Sequence, residues 1–246
     1  VSRYCVQISW DEVPHLDAET KKTLLDGMMP HMRDARTKGI PVLGAGAIYP
    51  VPESVYVVEP FQIPTHWPRS FGLDVGWNRT AAVWGAWDRQ TDTVYIWSEY
   101  YAAQSPPAVH AAGIRSRGEW IPGAIDPASA GSNQKDGSTL IGEYRQLGLD
   151  LHEADNAVEA GMFAVYQRLA RGGLKMFSTC RNLLSEMRIY RRDEKGRVVK
   201  VNDHAVDALR YLIMTGMRIA INEPNARDDE IGASRAQATG SGVTGY

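Results

Sequence analysis

The run "SFGLDVGWNRTAAVWGAWDRQTDTVYIWSEYY", residues 70–101, constrains this chain more than any other stretch. Three segments, SFGLDVG, TAAVWGAWD and TVYIWSEYY, are rich in Val, Trp and Tyr and read as consecutive strands. The polar DRQTD between the second and third predicts a hairpin turn. One residue does not suit an ordinary strand. Asp74 lies inside the first segment, between Leu73 and Val75, and a carboxylate buried there needs a partner or a metal ion.

Downstream the pattern alternates. SPPAVHAAGIRSRG predicts a helix with a proline in its first turn, and PGAID a short strand stopped by Pro127. GSTLIGEYRQLG, NAVEAGMFAVYQRLARGG and CRNLLSEMRIY read as helices, with strands at LDLHEA and LKMFS between them. RRDEKGRVVKV predicts a charged hairpin around Lys195 and Gly196, and NDHAVDALRYLIMTGMRIAI a periodic last helix. From Asn222 the composition is Asp, Ala, Gly, Ser and Thr without apolar period, so a mobile tail is expected. Residues 1–66 differ: an opening strand, a helix over DAETKKTLLDGMMPHMRDARTKG capped by Asp17 or Thr20, then a Pro/Gly-rich extended run. Its GAG lacks the Gly-Lys-Ser/Thr of a phosphate-binding loop. The expected division is 1–66, 67–221 and a tail at 222–246.

Composition narrows the function classes. A net charge of −2 gives no global signature of nucleic-acid binding, so any basic surface must be local. Two cysteines, Cys5 and Cys180, suggest neither a disulfide framework nor a cysteine metal site, which fits a reducing compartment. No signal peptide is apparent, and the longest apolar stretch is broken by Arg210 and Arg218. The start at Val1, directly into a strand-like run, reads as a piece of a longer protein.

Two further acids sit in apolar company: Asp126 after Ala124 and Ile125, and Asp207 between Val206 and Ala208. Three carboxylates brought together repel one another unless a cation neutralises them, and hard divalent ions prefer oxygen ligands. Two such ions about 4 Å apart activate water and stabilise the leaving oxygen in phosphodiester hydrolysis. Each acid also has an ordinary reading. Asp74 and Asp126 are turn acids before Gly76 and Pro127, Asp207 pairs with Arg210, and Asp203 with Asn202 caps the last helix. His204 reads as a surface or capping histidine, yet residues 203, 204 and 207 share one helix face.

The blocks FGLDVG, AIDPAS and NDHAVDALRYLI, in that order, resemble the nuclease domain of the large terminase subunit of tailed bacteriophages. LLSEMRIYRRDEKGRVVKVNDHAVDALRY is especially similar to that family's closing block, and residues 8–50 resemble the end of its ATPase portion. The resemblance implies an α/β ribonuclease-H-like fold of the RuvC/integrase type, a mixed sheet flanked by helices. Its first three strands are antiparallel, the Asp74 strand is central and the Asp126 strand lies beside it. It implies a metal-dependent endonuclease that cuts concatemeric double-stranded viral DNA during packaging. Asp74, Asp126 and Asp207 match the family's metal-binding acids, which hold two Mg²⁺ or Mn²⁺ ions, and Asp203 or His204 assists them. The implied partners are DNA, the portal protein and the small terminase subunit, at the procapsid in the host cytoplasm. The motor's phosphate-binding loop is not in this sequence, so ATP hydrolysis is not expected of it.

DNA then has to be held by local charge. The candidates are Arg79, just after the first acid, and the hairpin set Arg188, Arg191, Arg192, Lys195, Arg197 and Lys200, diluted by Asp193 and Glu194. The loop PASAGSNQKDGS after Asp126 is a candidate gate or a plain surface loop. The strand aromatics Trp84, Trp87, Tyr95 and Trp97 read as packing groups. Three other readings share parts of this pattern: a Holliday-junction resolvase or transposase, an actin-like ATPase or sugar kinase, and a portal-docking module without catalysis.

Overall fold

Small residues in the middle of the three-strand run let a helix press directly on the sheet, and this sets the architecture. The computed structural model describes Trp10, residues 17–26, Thr37, and residues 46–131, 139–193 and 195–224. Two units are distinguished, residues 1–50 with 189–200 and residues 51–188 with 201–246.

The larger unit is built on one seven-stranded sheet. Its strands are β1 (Val57–Val58), β2 (Arg69–Asp74), β3 (Thr80–Asp88), β4 (Thr93–Ala102), β5 (Gly123–Ile125), β6 (Leu151–Glu153) and β7 (Leu174–Phe177). They lie in the order β1-β7-β4-β3-β2-β5-β6. Strands β2, β3 and β4 form an antiparallel meander, and every other neighbouring pair is parallel. The three strands read from the sequence are thus antiparallel. The first three in chain order are not all so, because the two-residue β1 precedes them and lies parallel to β7. The Asp74 strand is an interior strand, with β3 on one side and the short Asp126-leading β5 on the other.

Strand β2 is buried on both faces, and its side chains alternate between them with a period of two. Phe71 and Leu73 join Trp84, Ile114, Ile125, Ile141, Tyr144 and Leu151 in the main apolar core. That core lies under α3 (Pro107–Arg115) and α4 (Leu140–Gln146). Pro107 opens α3 at a position where no backbone N–H is needed, and the Thr139 hydroxyl caps α4 by accepting from Gly142 N–H at 3.0 Å. The alternate residues Ser70, Gly72 and Asp74 face the other way. There α7 (His204–Tyr211) lies so close that a Cβ on Gly72 would stand 1.9 Å from the Ala208 carbonyl oxygen. Asp74, two residues on, therefore belongs to the face that α7 covers.

The remaining helices are α2 (Glu53–Tyr56), α5 (Val158–Ala170) and α6 (Arg181–Ile189). The last helix does not run straight through as its periodicity predicts. After Tyr211 it widens into π-helical turns over Leu212–Gly216 and ends with one turn at Met217–Ile219. Gly216 packs against Leu212 and Ser70 Oγ, and Thr215 Oγ1 accepts the Asp155 N–H at 2.9 Å.

In the smaller unit α1 (Ala18–Asp26) is started by Asp17, whose Oδ1 accepts from Thr20 N–H at 2.7 Å. The charged hairpin forms as read. Arg192 pairs antiparallel with Val198, and Gly196 takes the turn at φ 77°. The opening strand, most of the continuation of α1, part of the Pro/Gly-rich run, residues 132–138 of the loop after Asp126 and the tail from residue 225 lie outside the described residues. Among the described residues no helix is long and apolar enough to cross a membrane.

Candidate active site

Three segments distant in sequence bring their acids to one end of the larger unit. Asp74 ends β2, and its backbone neighbour Leu73 is in register with Ile125 of β5. The Asp126 N–H continues that ladder by donating to the Leu73 carbonyl at 3.1 Å. Asp126 thus follows β5 directly beside the end of β2. Asp207 lies in the first turn of α7, on the sheet face that Asp74 shares, and is 9% exposed.

Electrostatics report the same proximity. Burial pushes the Asp74 carboxyl above the usual range, the His204 hydrogen bond opposes this, and the charges of Asp207 and Asp126 push it further up. Tyr211 is also driven up, by burial first and then by Asp126. A carboxylate held this way favours a proton or a cation.

Each acid has a protein partner on one oxygen. His204 Nδ1 lies 2.8 Å from Asp74 Oδ2. Ala128 N–H donates to Asp126 Oδ1 at 3.0 Å, where Asp126 caps a short 3₁₀ turn over Pro127–Ala130. Arg210, 1% exposed, donates through Nη2 to Asp207 Oδ1 at 3.1 Å and through Nη1 to Asn156 Oδ1 at 3.1 Å. The ordinary readings of Asp126 as turn former and Asp207 as ion-pair partner are therefore both realised, alongside the placement of these acids near Asp74. Oxygen donors and accumulated negative charge fit a hard divalent cation in kind. Among the described residues, however, no three His, Cys, Asp or Glu side chains are grouped tightly enough to hold one ion as they stand.

The His204–Asp74 contact carries a pH signature. The hydrogen bond to Asp74 raises the His204 pKa above its ordinary 6.5, burial opposes it, and the charges of Asp74, Glu186 and Asp203 add to the rise. Both partners are shifted upward, so the folded state binds protons more tightly than the unfolded chain. The His204 share of this stability is full below about pH 6.5 and is lost as pH rises through its elevated folded value, while the Asp74 share is already being lost as pH rises above the ordinary carboxylate range. In metal-free protein the melting temperature should therefore fall between pH 6 and pH 8, and less steeply in His204→Gln. Thermal melts in chelator across that range check this, and parallel profiles would contradict the pair.

Asp203 occupies the position before α7 and is buried, but its side chain does not cap the helix. That work falls to a residue the sequence did not flag. Glu186 of α6, 3% exposed, accepts from Ala205 N–H at 2.6 Å and Val206 N–H at 3.1 Å. Its other oxygen accepts from Tyr101 O–H at 2.6 Å. A second unflagged residue is Trp77, 71% exposed, in the turn between Asp74 and Arg79. The Arg79 guanidinium sits 4.6 Å from the centre of the Tyr101 ring.

Of the hairpin cations, Arg197 pairs with Asp193 at 3.0 Å and Arg192 donates to the Gly196 carbonyl at 2.9 Å. Arg188 is committed to Glu53, with Nη2 to Oε2 at 2.9 Å. Trp84 is fully buried in the core, as a packing group should be.

Residues 71–215 match the family model of the terminase RNaseH-like domain. The chain belongs to the terminase RNaseH-like family. Among curated terminase large subunits it is 30% identical to that of Enterobacteria phage LP7 over 228 residues, covering 88% of this chain and 47% of the relative. It is 30% identical to that of Salmonella phage P22 over 221 residues, covering 85% and 44%. The chain thus spans a little under half the length of these relatives. The solved P22 large terminase nuclease domain superposes with a TM-score of 0.66 at 29% identity, covering 72% of this chain and 95% of that one. The magnesium-bound large terminase nuclease of thermophilic phage G20c, at 14% identity, shares the fold with a TM-score of 0.53, covering 70% of this chain and 98% of that one.

Proposed function

We propose that this chain is the nuclease part of a phage terminase large subunit and cuts concatemeric double-stranded DNA during genome packaging by two-metal phosphodiester hydrolysis. The observation that carries the reading is the convergence of Asp74, Asp126 and Asp207, from two neighbouring strand ends and the helix covering them, in a fold shared with the P22 nuclease domain. In this reading Asp74, Asp126 and Asp207 would hold the two Mg²⁺ or Mn²⁺ ions, with Asp203 or His204 assisting. Ions bound there supply water activation and neutralise charge building on the phosphate and the departing 3′ oxygen. The chain's own residues do the rest. Arg210 and Ala128 N–H orient the two outer carboxylates, and His204 orients Asp74 and moves a proton at the scissile phosphate.

Residues 1–66 are proposed as the end of the ATPase portion, 67–221 as the nuclease domain and 222–246 as a tail. Portal protein and small terminase subunit are the proposed partners, at the procapsid in the host cytoplasm. Arg79, Arg191, Arg192, Lys195, Arg197 and Lys200 are proposed to contact phosphates, which positions a duplex without reading its sequence. Such contacts release counterions. Lys195→Glu should therefore weaken duplex binding for every sequence and lower the salt slope of log K by about 1. Fluorescence anisotropy at several salt concentrations measures it, and an unchanged slope removes Lys195 from the interface. The reading as a whole is tested by incubating plasmid with the chain in Mn²⁺, Mg²⁺ or chelator. Metal-dependent linearisation supports it, and absence of cutting with intact, folded protein overturns it.

A further inference from the structure

An acidic side chain buried between two helices calls for an explanation. Glu186 is 3% exposed on the inner face of α6, among Leu183, Leu184 and Met187. Burying a carboxylate is costly unless its oxygens are bonded. Here three bonds converge on it: Tyr101 O–H on Oε1, and the Ala205 and Val206 N–H groups on Oε2. The two amides are among the first of α7, which an α-helix leaves without internal partners. A residue at the helix start usually supplies that acceptor. Asp203 stands there and does not, so the cap comes from across the fold. The negative charge also meets the positive end of the helix dipole.

The capped turn is the one that carries the chemistry. Ala205 and Val206 lie between His204, which contacts Asp74, and Asp207. On its far side Glu186 is tied to Tyr101, whose ring carries the Arg79 guanidinium. One buried group thus fastens the first turn of α7 to β4 and to the support of a candidate phosphate contact. The pattern repeats one step back, where Glu99 of β4 accepts from Asn182 N–H at 3.0 Å and Leu183 N–H at 2.9 Å at the start of α6. Strand, helix and helix are linked in series by glutamates.

We propose that Glu186 is a positioning residue for the catalytic helix, fixing the first turn of α7 so that His204 and Asp207 stand where the metal-dependent reaction needs them. This rests on the nuclease reading above, and the experiment separates the two. Hydrogen exchange is followed through α7 in the unsubstituted chain and in Glu186→Gln, Glu186→Ala and Tyr101→Phe, and Mn²⁺ binding is measured by calorimetry on the same samples. Loss of the cap should speed exchange at Ala205 and Val206 about tenfold in Glu186→Ala, with β3 and β4 unchanged. Mn²⁺ binding should weaken about tenfold, as it does when groups that orient metal ligands are removed. Glu186→Gln keeps an acceptor for the amides and should fall between the two. Tyr101→Phe leaves Glu186 in place and should shift both readouts the same way by less, which keeps the test open if Glu186→Ala fails to fold.

Unchanged exchange at Ala205 and Val206 overturns the proposal. So does faster exchange spread evenly over the sheet, since Glu186 is then only a packing group, or faster exchange at Ala205 and Val206 with unaltered Mn²⁺ affinity, since Glu186 then holds the turn without positioning the metal ligands. If the unsubstituted chain binds no Mn²⁺, the nuclease reading fails and takes the metal arm with it. Exchange at Ala205 and Val206 still decides whether Glu186 holds the turn.

Discussion

Asp74→Ala removes metal-dependent cleavage, and Asp74→Asn does the same while leaving the fold at least as stable at a pH above the elevated His204 value. The loss expected is about a hundredfold or more, the scale of removing one group that stabilises transition-state charge. Asp126→Ala should behave alike. Stability moves the other way because of where Asp74 sits. Its carboxyl is largely but not fully buried, and that burial together with the charges of Asp207 and Asp126 already disfavours its ionised form. Removing that charge relieves repulsion, so the melting temperature of Asp74→Asn in chelator should hold or rise. Loss of activity with preserved stability marks a residue kept for chemistry at a cost to the fold. Plasmid cleavage and thermal melts on the same samples check both halves. Full cutting by either variant, or unfolding by Asp74→Asn, contradicts the assignment.

Gly72→Ala has the opposite signature, a collapse of stability. The added Cβ would stand 1.9 Å from the Ala208 carbonyl oxygen and 2.8 Å from the Leu212 backbone nitrogen. Both are backbone atoms of the last helix, so no side chain can rotate away. The helix must lift from β2, separating Asp207 from Asp74 and opening the face it buries. Overpacking of this kind costs about 3 kcal/mol or more. In a domain of this size that lowers the melting temperature by roughly 6–12 °C. Gly76→Ala is the control, four residues along, where a Cβ would meet only the Arg79 carbonyl at 3.1 Å. Denaturant melts of the two variants should differ by most of the Gly72 cost. Equal stabilities would mean that α7 does not lie against β2 as described.

Local pattern made much of this legible. The β2–β4 meander is written in runs of β-branched, aromatic and small residues with a polar turn between, and the helices after it in apolar periods with proline and glycine at their ends. Asp74 stood out because a carboxylate inside an apolar strand conflicts with its neighbours. Such conflicts between a residue and its local setting mark functional positions. Asp126 and Asp207 were less distinctive, since turn formation and pairing with Arg210 explain them equally well and both occur.

What sequence could not show depends on contacts far apart in the chain. Glu186 reads as one more charge on an amphipathic helix, and only the approach of α7 and Tyr101 turns it into a buried cap. Arg188 reads as part of a basic hairpin, yet Glu53, 135 positions away, takes it. The last helix reads as continuous, because apolar periodicity does not register the π-helical widening over Leu212–Gly216.

The central claim is that Asp74, Asp126 and Asp207 form one divalent-metal site. A crystal of the chain soaked in Mn²⁺, with anomalous difference density collected at the manganese edge, tests it most directly. The account predicts two peaks between these three carboxylates, with their side chains drawn together around the ions. A single ion bound by other residues, or none near Asp74 at saturating Mn²⁺, would contradict it.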